Sequence, residues 1–213
     1  MTDYAFAVLI SGNGTNLQAM IDAVKEEEIN GQICCVLSNS EEAYGLIRAK
    51  KAGIPTEVVN NKNFVAREDF DAEMIRVLSD YEPDLVVLAG FMWILSPLFV
   101  KAYSGKLLNI HPSLLPKYPG LNTHERVLKS SDEIHGITVH FVDESLDGGP
   151  ICAQSSLKIN TSSVEALEEE VHKLEHKLYP KVINWFGEGL LKLNEDKDYF
   201  EGKELKIMSE HED

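Results

Sequence analysis

Residues 4–16 read YAFAVLISGNGTN, an apolar run that stops at a glycine-bearing turn and hands over to an amphipathic segment. Tyr4–Ser11 has the length and β-branched character of a buried strand, and Asn16–Glu27 sets Leu17, Met20, Ile21 and Val24 on one helical face. A strand buried on both faces and followed at once by a helix is the building unit of a parallel sheet. The alternation continues outward. Ile33–Ser38 reads as a second strand, Tyr44–Ala52 as a helix ended by Gly53 and Pro55, and Thr56–Val59 as a third strand. Arg67–Asp80 is helical with Phe70, Met74, Val77 and Leu78 inward, and Leu85–Ala89 is a fourth, fully buried strand. Ser96-Pro97 has the N-cap and first-turn chemistry of another helix, and Leu107–Ile110 is a fifth strand. The expected fold is α/β, a Rossmann-like doubly wound and mostly parallel sheet.

The pattern then changes. Gly136–Phe141 alternates, and Ile151–Ile159 follows the turn Asp147-Gly148-Gly149-Pro150, which suggests a second set of strands open to antiparallel pairing. Ser162 or Ser163 caps a long helix reaching about Phe186, and the acidic stretch after it holds short strand-like pieces, Leu190–Leu193 and Tyr199–Phe200. The expected organisation is one domain over residues 1–213, with halves at 1–106 and 107–187, a cleft where they meet, and a tail at 188–213.

Composition narrows the function classes. The 213 residues carry 35 acids against 20 bases, a formal charge of −15 that repels polyanions, so nucleic acid is not an expected partner. Anionic small molecules would need local N–H groups and a few bases inside this acidic surround. The longest apolar stretch, about Leu85–Leu95, is broken by Gly90 and too short to span a bilayer. The N-terminus runs straight into a strand, without the pattern of a secretory signal, so the expected location is the cytoplasm. Three cysteines cannot all pair, and the adjacent Cys34 and Cys35 fit neither a bridge nor a metal spacing; buried reduced thiols are expected.

Three segments carry candidate chemistry. Ser11-Gly12-Asn13-Gly14-Thr15-Asn16 lies between the first strand and its helix, where glycines allow a sharp turn and free N–H groups favour an anion. It departs from the dinucleotide fingerprint, with Leu17 at the third glycine's place and Ser38-Asn39-Ser40 lacking the acid that would hold a ribose. It also lacks the Gly-Lys-Ser/Thr of a Walker loop, and a ligand-free βα turn stays open. In Leu108–Pro116, Asn109 and His111 point to the same side of a strand at its carboxyl end, where doubly wound folds put ligands. An amide donor beside an imidazole suits acyl transfer, although a core histidine and a strand-end turn would give the same letters. In Asp143–Pro150, an acid followed by small residues allows close backbone approach to a ligand, or forms a plain β-turn; Asp147 can orient a neighbouring imidazole. His172-Lys173-Leu174-Glu175-His176 fits a zinc-peptidase pattern, but no third ligand follows at a suitable place and no metal is expected.

Taken together, Ser11–Gln18, Gly90-Phe91-Met92, Asn109–Gly120 and Leu146–Pro150 closely resemble the phosphoribosylglycinamide formyltransferase family of purine biosynthesis, over nearly the whole chain from Val8 to about Trp185. The resemblance implies a transferase that moves the formyl group of 10-formyltetrahydrofolate, a co-substrate, to the amine of glycinamide ribonucleotide, without metal. It implies a nucleotide-binding first half and a folate cleft between the halves. By position it implies a catalytic trio of Asn109, His111 and Asp147. It puts the ribonucleotide phosphate on the N–H groups of Gly14, Thr15 and Asn16, with His172 and Glu175 toward the ribose. Folate is implied along Met92, Trp93, Ile94 and Leu95 and along Asp143, Glu144, Ser145, Leu146 and Asp147, beside Asn109, with Arg67 toward the glutamate tail. One position departs from the pattern: Trp93 stands where the family usually has Arg, which predicts weaker dependence on tail charge, with the indole packing on the benzoyl ring. The expected assembly is a monomer or weak homodimer acting on two small molecules.

Rival readings separate on other features. A methionyl-tRNA formyltransferase should add a basic C-terminal domain, and a formyltetrahydrofolate deformylase an N-terminal regulatory domain. A non-catalytic nucleotide-binding module would leave Asn109, His111 and Asp147 unexplained together, and a nicotinamide dehydrogenase should carry the dinucleotide fingerprint.

Overall fold

The computed structural model describes residues 4–191. The elements run β1 Tyr4–Ile10, α1 Thr15–Lys25, β2 Gly31–Ser38, α2 Tyr44–Lys51, β3 Thr56–Val58, α3 Arg67–Ser79 and β4 Leu85–Leu88. They continue with α4 Pro97–Ala102, β5 Leu107–His111, α5 Thr123–Leu128, β6 Ile134–Phe141, β7 Ile151–Lys158 and α6 Val164–Gly187. One seven-stranded sheet has the order β3-β2-β1-β4-β5-β6-β7. The first five strands are parallel, β6 joins β5 antiparallel, and β7 joins β6 antiparallel. The late strands therefore lengthen the first sheet and do not form a second one.

Alternation along β1 shows why its run is apolar throughout. Phe6, Val8 and Ile10 pack with Leu17 and Met20 of α1 and with Tyr179 and Val182 of α6. Ala7 and Leu9 face the other way, against Phe70 and Met74 of α3 and Phe99 of α4. A strand sandwiched between two helical layers has no side free for polar residues. The Tyr179 hydroxyl, fully buried, reaches the carbonyls of Leu88 (2.9 Å) and Leu108 (3.1 Å) and so pins α6 across β4 and β5. Ser163, one of the two expected caps, accepts the Ala166 N–H at 3.2 Å. Helix α5 was not foreseen: its six residues are too few to show a period. Leu190 and Leu191 are irregular, so the expected strand Leu190–Leu193 does not begin there; the rest of it, and Tyr199–Phe200, lie outside the described residues.

Helix α5 is fastened to β6 by a ring-to-ring hydrogen bond, His124 Nδ1 to His135 Nε2, at 3.1 Å. Burial, with His124 and His111 nearby, pushes the His135 imidazole down to about 4. The folded protein thus refuses a proton that an unfolded imidazole, near 6.5, accepts. The stability tied to neutral His135 is complete above about pH 6.5 and is lost as pH falls toward 4, with a limiting slope of about 1.4 kcal/mol per pH unit. Urea unfolding at pH 7 and pH 5 should show His135→Gln losing less stability across that interval than the parent; equal losses would contradict the assignment.

Candidate active site

The carboxyl ends of β1, β4 and β5 meet where the strand order reverses between β1 and β4, which is the usual ligand crevice of such sheets. Each strand end delivers one part of the site.

After β1, Gly14 takes the left-handed conformation (φ 73°) and starts α1, leaving the first N–H groups of the helix without helical partners. The turn is braced from behind by α2. Gly45 N–H donates to the Gly12 carbonyl at 3.1 Å, and Gly14 and Gly45 pass so close that a Cβ on Gly14 would come to 2.8 Å from the Gly45 Cα. Arg48 donates from Nε to the Asn13 carbonyl (2.9 Å) and from a terminal nitrogen to Asn13 Oδ1 (2.8 Å). On the cleft side, Asn16 Nδ2 donates to Glu175 Oε2 at 2.8 Å, linking the turn to α6. Glu175 is 5% exposed, and burial pushes its carboxyl up against the opposing pull of the Asn16 bond. His172 lies 3.9 Å from Glu168, and its ring stacks nearly parallel to that of His176 at 6.1 Å. Glu175 is thus engaged by Asn16, and the two histidine rings face each other.

After β4, residues 91–95 form an irregular wall with Met92 and Ile94 exposed. Met92 N–H donates to Ser11 Oγ at 2.7 Å, which ties this wall to the turn after β1. Ser96 N–H donates to the buried Asp71 at 2.5 Å. Burial pushes the Asp71 carboxyl up, while Ser96, Arg67 and Trp93 pull the other way. The Trp93 ring packs edge-on against Phe70 at 5.0 Å. The indole is therefore half-built into the wall.

After β5, Leu108 and Ile110 face the α1/α6 layer, leaving Asn109 and His111 on the opposite side together, as alternation requires. Asn109 pairs across the antiparallel ladder with His140. His140 Nδ1 donates to the Phe141 carbonyl at 2.8 Å, so its Nε2 is the acceptor that meets Asn109 Nδ2 at 3.2 Å. Burial pushes His140 down, which keeps it neutral and fit to accept. One amide hydrogen of Asn109 is held in this way, and among the described residues no hydrogen bond takes the other. His111, 6% exposed, donates from Nε2 to the Tyr118 carbonyl at 2.9 Å. Its Nδ1 faces Asp147 Oδ2 at 3.4 Å, and Asp147 Oδ1 lies 4.0 Å from His140 Nε2. Asp147 Oδ2 also accepts the Gly120 N–H at 2.8 Å, joining the 143–150 loop to the 112–122 loop.

The backbone around this acid is constrained. Asp147 has φ 51°, Tyr118 φ 55° and Asn122 φ 58°, conformations that side-chain-bearing residues seldom adopt and that cluster at functional sites. Gly149 follows because a Cβ there would fall on the Phe141 carbonyl. Asp143 accepts the Ser145 N–H at 2.8 Å and also its hydroxyl, closing a tight turn that leaves Glu144 and Leu146 exposed. Arg67 projects from the start of α3 and lies 3.8 Å from Glu68.

The structure thus sets His111 3.4 Å from Asp147, and both Asn109 (3.2 Å) and Asp147 (4.0 Å) beside His140, with Gly14–Asn16 linked to Glu175 at the neighbouring strand end. Four contributors were not singled out from sequence: Ser11 as acceptor, Arg48, His140 and the Tyr118 carbonyl. His140 had a legible position, last but one in an alternating run, but only the strand register sets it opposite Asn109.

A Rossmann-like sheet with an amide and an imidazole at one strand end, a loop carboxylate beside them, and free helix N–H groups nearby is the arrangement of an α/β protein suited to acyl transfer. The chain belongs to the formyl transferase family, whose profile matches residues 4–183. It is 51% identical over 199 residues, 93% of this chain and 94% of the relative, to the phosphoribosylglycinamide formyltransferase of Escherichia coli. It is 44% identical over 191 residues to the human trifunctional purine biosynthetic protein adenosine-3, covering 89% of this chain and 19% of that one. Among solved structures, a phosphoribosylglycinamide formyltransferase from Coxiella burnetii superposes with TM-score 0.86 at 47% identity, covering 90% of each chain. A glycinamide ribonucleotide transformylase from Symbiobacterium toebii superposes with TM-score 0.88 at 38% identity, covering 91% and 92%.

Proposed function

We propose that the protein transfers the formyl group of 10-formyltetrahydrofolate to the amine of glycinamide ribonucleotide, releasing formylglycinamide ribonucleotide and tetrahydrofolate. The observation that most supports this is the convergence of Asn109, His111 and Asp147 at the end of β5. The acceptor's phosphate lies on the N–H groups of Gly14, Thr15 and Asn16, and its ribose reaches Glu175 and His172. Folate lies along residues 92–95 and 143–147, with Arg67 toward its tail. Met92 and Ser96 N–H groups are already engaged, so the main-chain donors for the pterin come from Trp93 to Leu95.

The acceptor amine attacks the formyl carbon, and the carbonyl oxygen becomes an oxyanion. The free hydrogen of Asn109 Nδ2 and the Nδ1–H of protonated His111 donate to it. Asp147 balances the imidazolium and, directly or through water, carries the amine proton toward N10 of the folate. The C–N10 bond then breaks, and tetrahydrofolate leaves with that proton. No covalent enzyme intermediate enters this sequence. The enzyme works in the cytoplasm on two small molecules as a monomer or weak dimer, which sedimentation at assay concentration checks.

A single assay tests the reading: 10-formyl-5,8-dideazafolate with glycinamide ribonucleotide, following loss of the formyl donor, beside a control without amine. Donor loss that requires the amine is expected; equal loss without it would make the protein a hydrolase. Trp93 makes a further prediction. With the indole against Phe70 and one cation fewer at the wall, the parent should show closely similar Michaelis constants for mono- and polyglutamylated donors, and Trp93→Arg should favour the polyglutamate several-fold. Identical ratios in the two proteins would end that idea.

A further inference from the structure

We infer that Arg48 is the cation behind the anion turn, a positioning residue that holds Gly12–Asn16 in its binding shape and supplies the positive charge for the acceptor's phosphate. The inference deepens the proposed function and rests on it.

The guanidinium makes three hydrogen bonds, all to the turn and the helix it starts: Asn13 carbonyl at 2.9 Å, Asn13 Oδ1 at 2.8 Å and Gln18 Oε1 at 3.3 Å. All three acceptors are neutral. Arg67, Arg76, Lys117 and Lys129 each lie within 4 Å of a carboxylate, whereas among the described residues no carboxylate pairs with Arg48. Its other close neighbour is the Tyr44 ring, 5.0 Å from the guanidinium carbon, a contact that fixes the plane without cancelling the charge. In a chain of net charge −15, an uncompensated cation fixed against an anion-binding turn is an electrostatic feature in its own right.

Geometry gives it a second task. Gly45 takes the Gly12 carbonyl and Arg48 takes the Asn13 carbonyl, both on the α2 side of the turn. A peptide unit whose carbonyl is held behind presents the following N–H in front, so these bonds turn the donors at the start of α1 toward the cleft. The Arg48 stem passes within 3.7 Å of the place a Cβ on Gly14 would occupy, which brings the charge alongside the turn. Lysine would keep the charge at that place but lose the planar fork that holds carbonyl and amide of one residue together.

Steady-state kinetics on the whole enzyme can read both tasks. Arg48→Gln should raise the Michaelis constant for glycinamide ribonucleotide about tenfold or more, with kcat within about twofold and the constant for the formyl donor unchanged. Arg48→Lys should recover part of the loss. The phosphate-free acceptor, glycinamide ribonucleoside, distinguishes this role from a general structural one: parent and Arg48→Gln should use it with equal kcat/KM. The parent's ribonucleotide constant should also rise more steeply with salt than the variant's. A variant that loses the same factor with both acceptors, or that loses nothing with the ribonucleotide, would overturn the assignment. Failure of the parent to formylate the ribonucleotide would instead sink the proposed function, and the two outcomes cannot be confused.

Discussion

Alanine at both Asn109 and His111 is expected to reduce kcat by at least a hundredfold while leaving the Michaelis constant for the ribonucleotide within a few-fold. Each side chain offers one hydrogen to the oxygen that becomes charged, and removal of one such donor typically costs about 10²–10³ in rate. The two act on a single developing charge, so the double variant should lose less than the product of the two single losses. The turn between β1 and α1, proposed to hold the phosphate, is braced by α2 and not by either substituted residue, so acceptor binding should survive. Single-turnover rates with both substrates saturating measure the effect. Wild-type turnover in the double variant would remove these two residues from the chemistry.

Asp147→Asn is expected to cost a similar factor, about a hundredfold, for a different reason. The amide keeps an oxygen that can accept from Gly120 N–H, where the carboxylate now does at 2.8 Å, but it removes the negative charge 3.4 Å from His111 Nδ1. Asp147→Ala removes both. The pair of variants therefore separates the charge from the tie between the two loops. Both should lose turnover, and the alanine alone should speed tryptic cleavage after Lys117, which stands exposed in the tied loop. Full activity in Asp147→Asn would show that the carboxylate has no part in balancing the imidazolium. Protection of Lys117 in Asp147→Ala would show that the Gly120 bond does not hold the loop.

The centre of the parallel sheet was legible because its strands are buried on both faces, so a run such as Tyr4–Ile10 or Leu85–Leu88 carries no polar interruption. Asn109 and His111 were legible for the same reason, as polar residues at the end of such a run. The pairing of Asn109 with His140 was not, because register between β5 and β6 is set by packing in three dimensions and not by either strand alone. Arg48 looked like one more base in the last turn of α2, and its direction toward Asn13 follows from the close passage of Gly14 and Gly45. Trp93 illustrates a further limit. The letter marked a departure from the family's usual arginine, but whether the ring turned outward or against Phe70 depended on the space beside α3.

The bond from Asn16 to Glu175 joins residues 159 positions apart, one near the start of α1 and the other midway along α6. During synthesis the turn after β1 is therefore made well before the helix that braces it. An interrupted translation product that stops short of α6 would possess Asn109 and His111 but would miss the carboxylate that anchors Asn16 and the Tyr179 hydroxyl that spans β4 and β5. Assembly order thus delays the bracing of this turn until α6 has closed on α1.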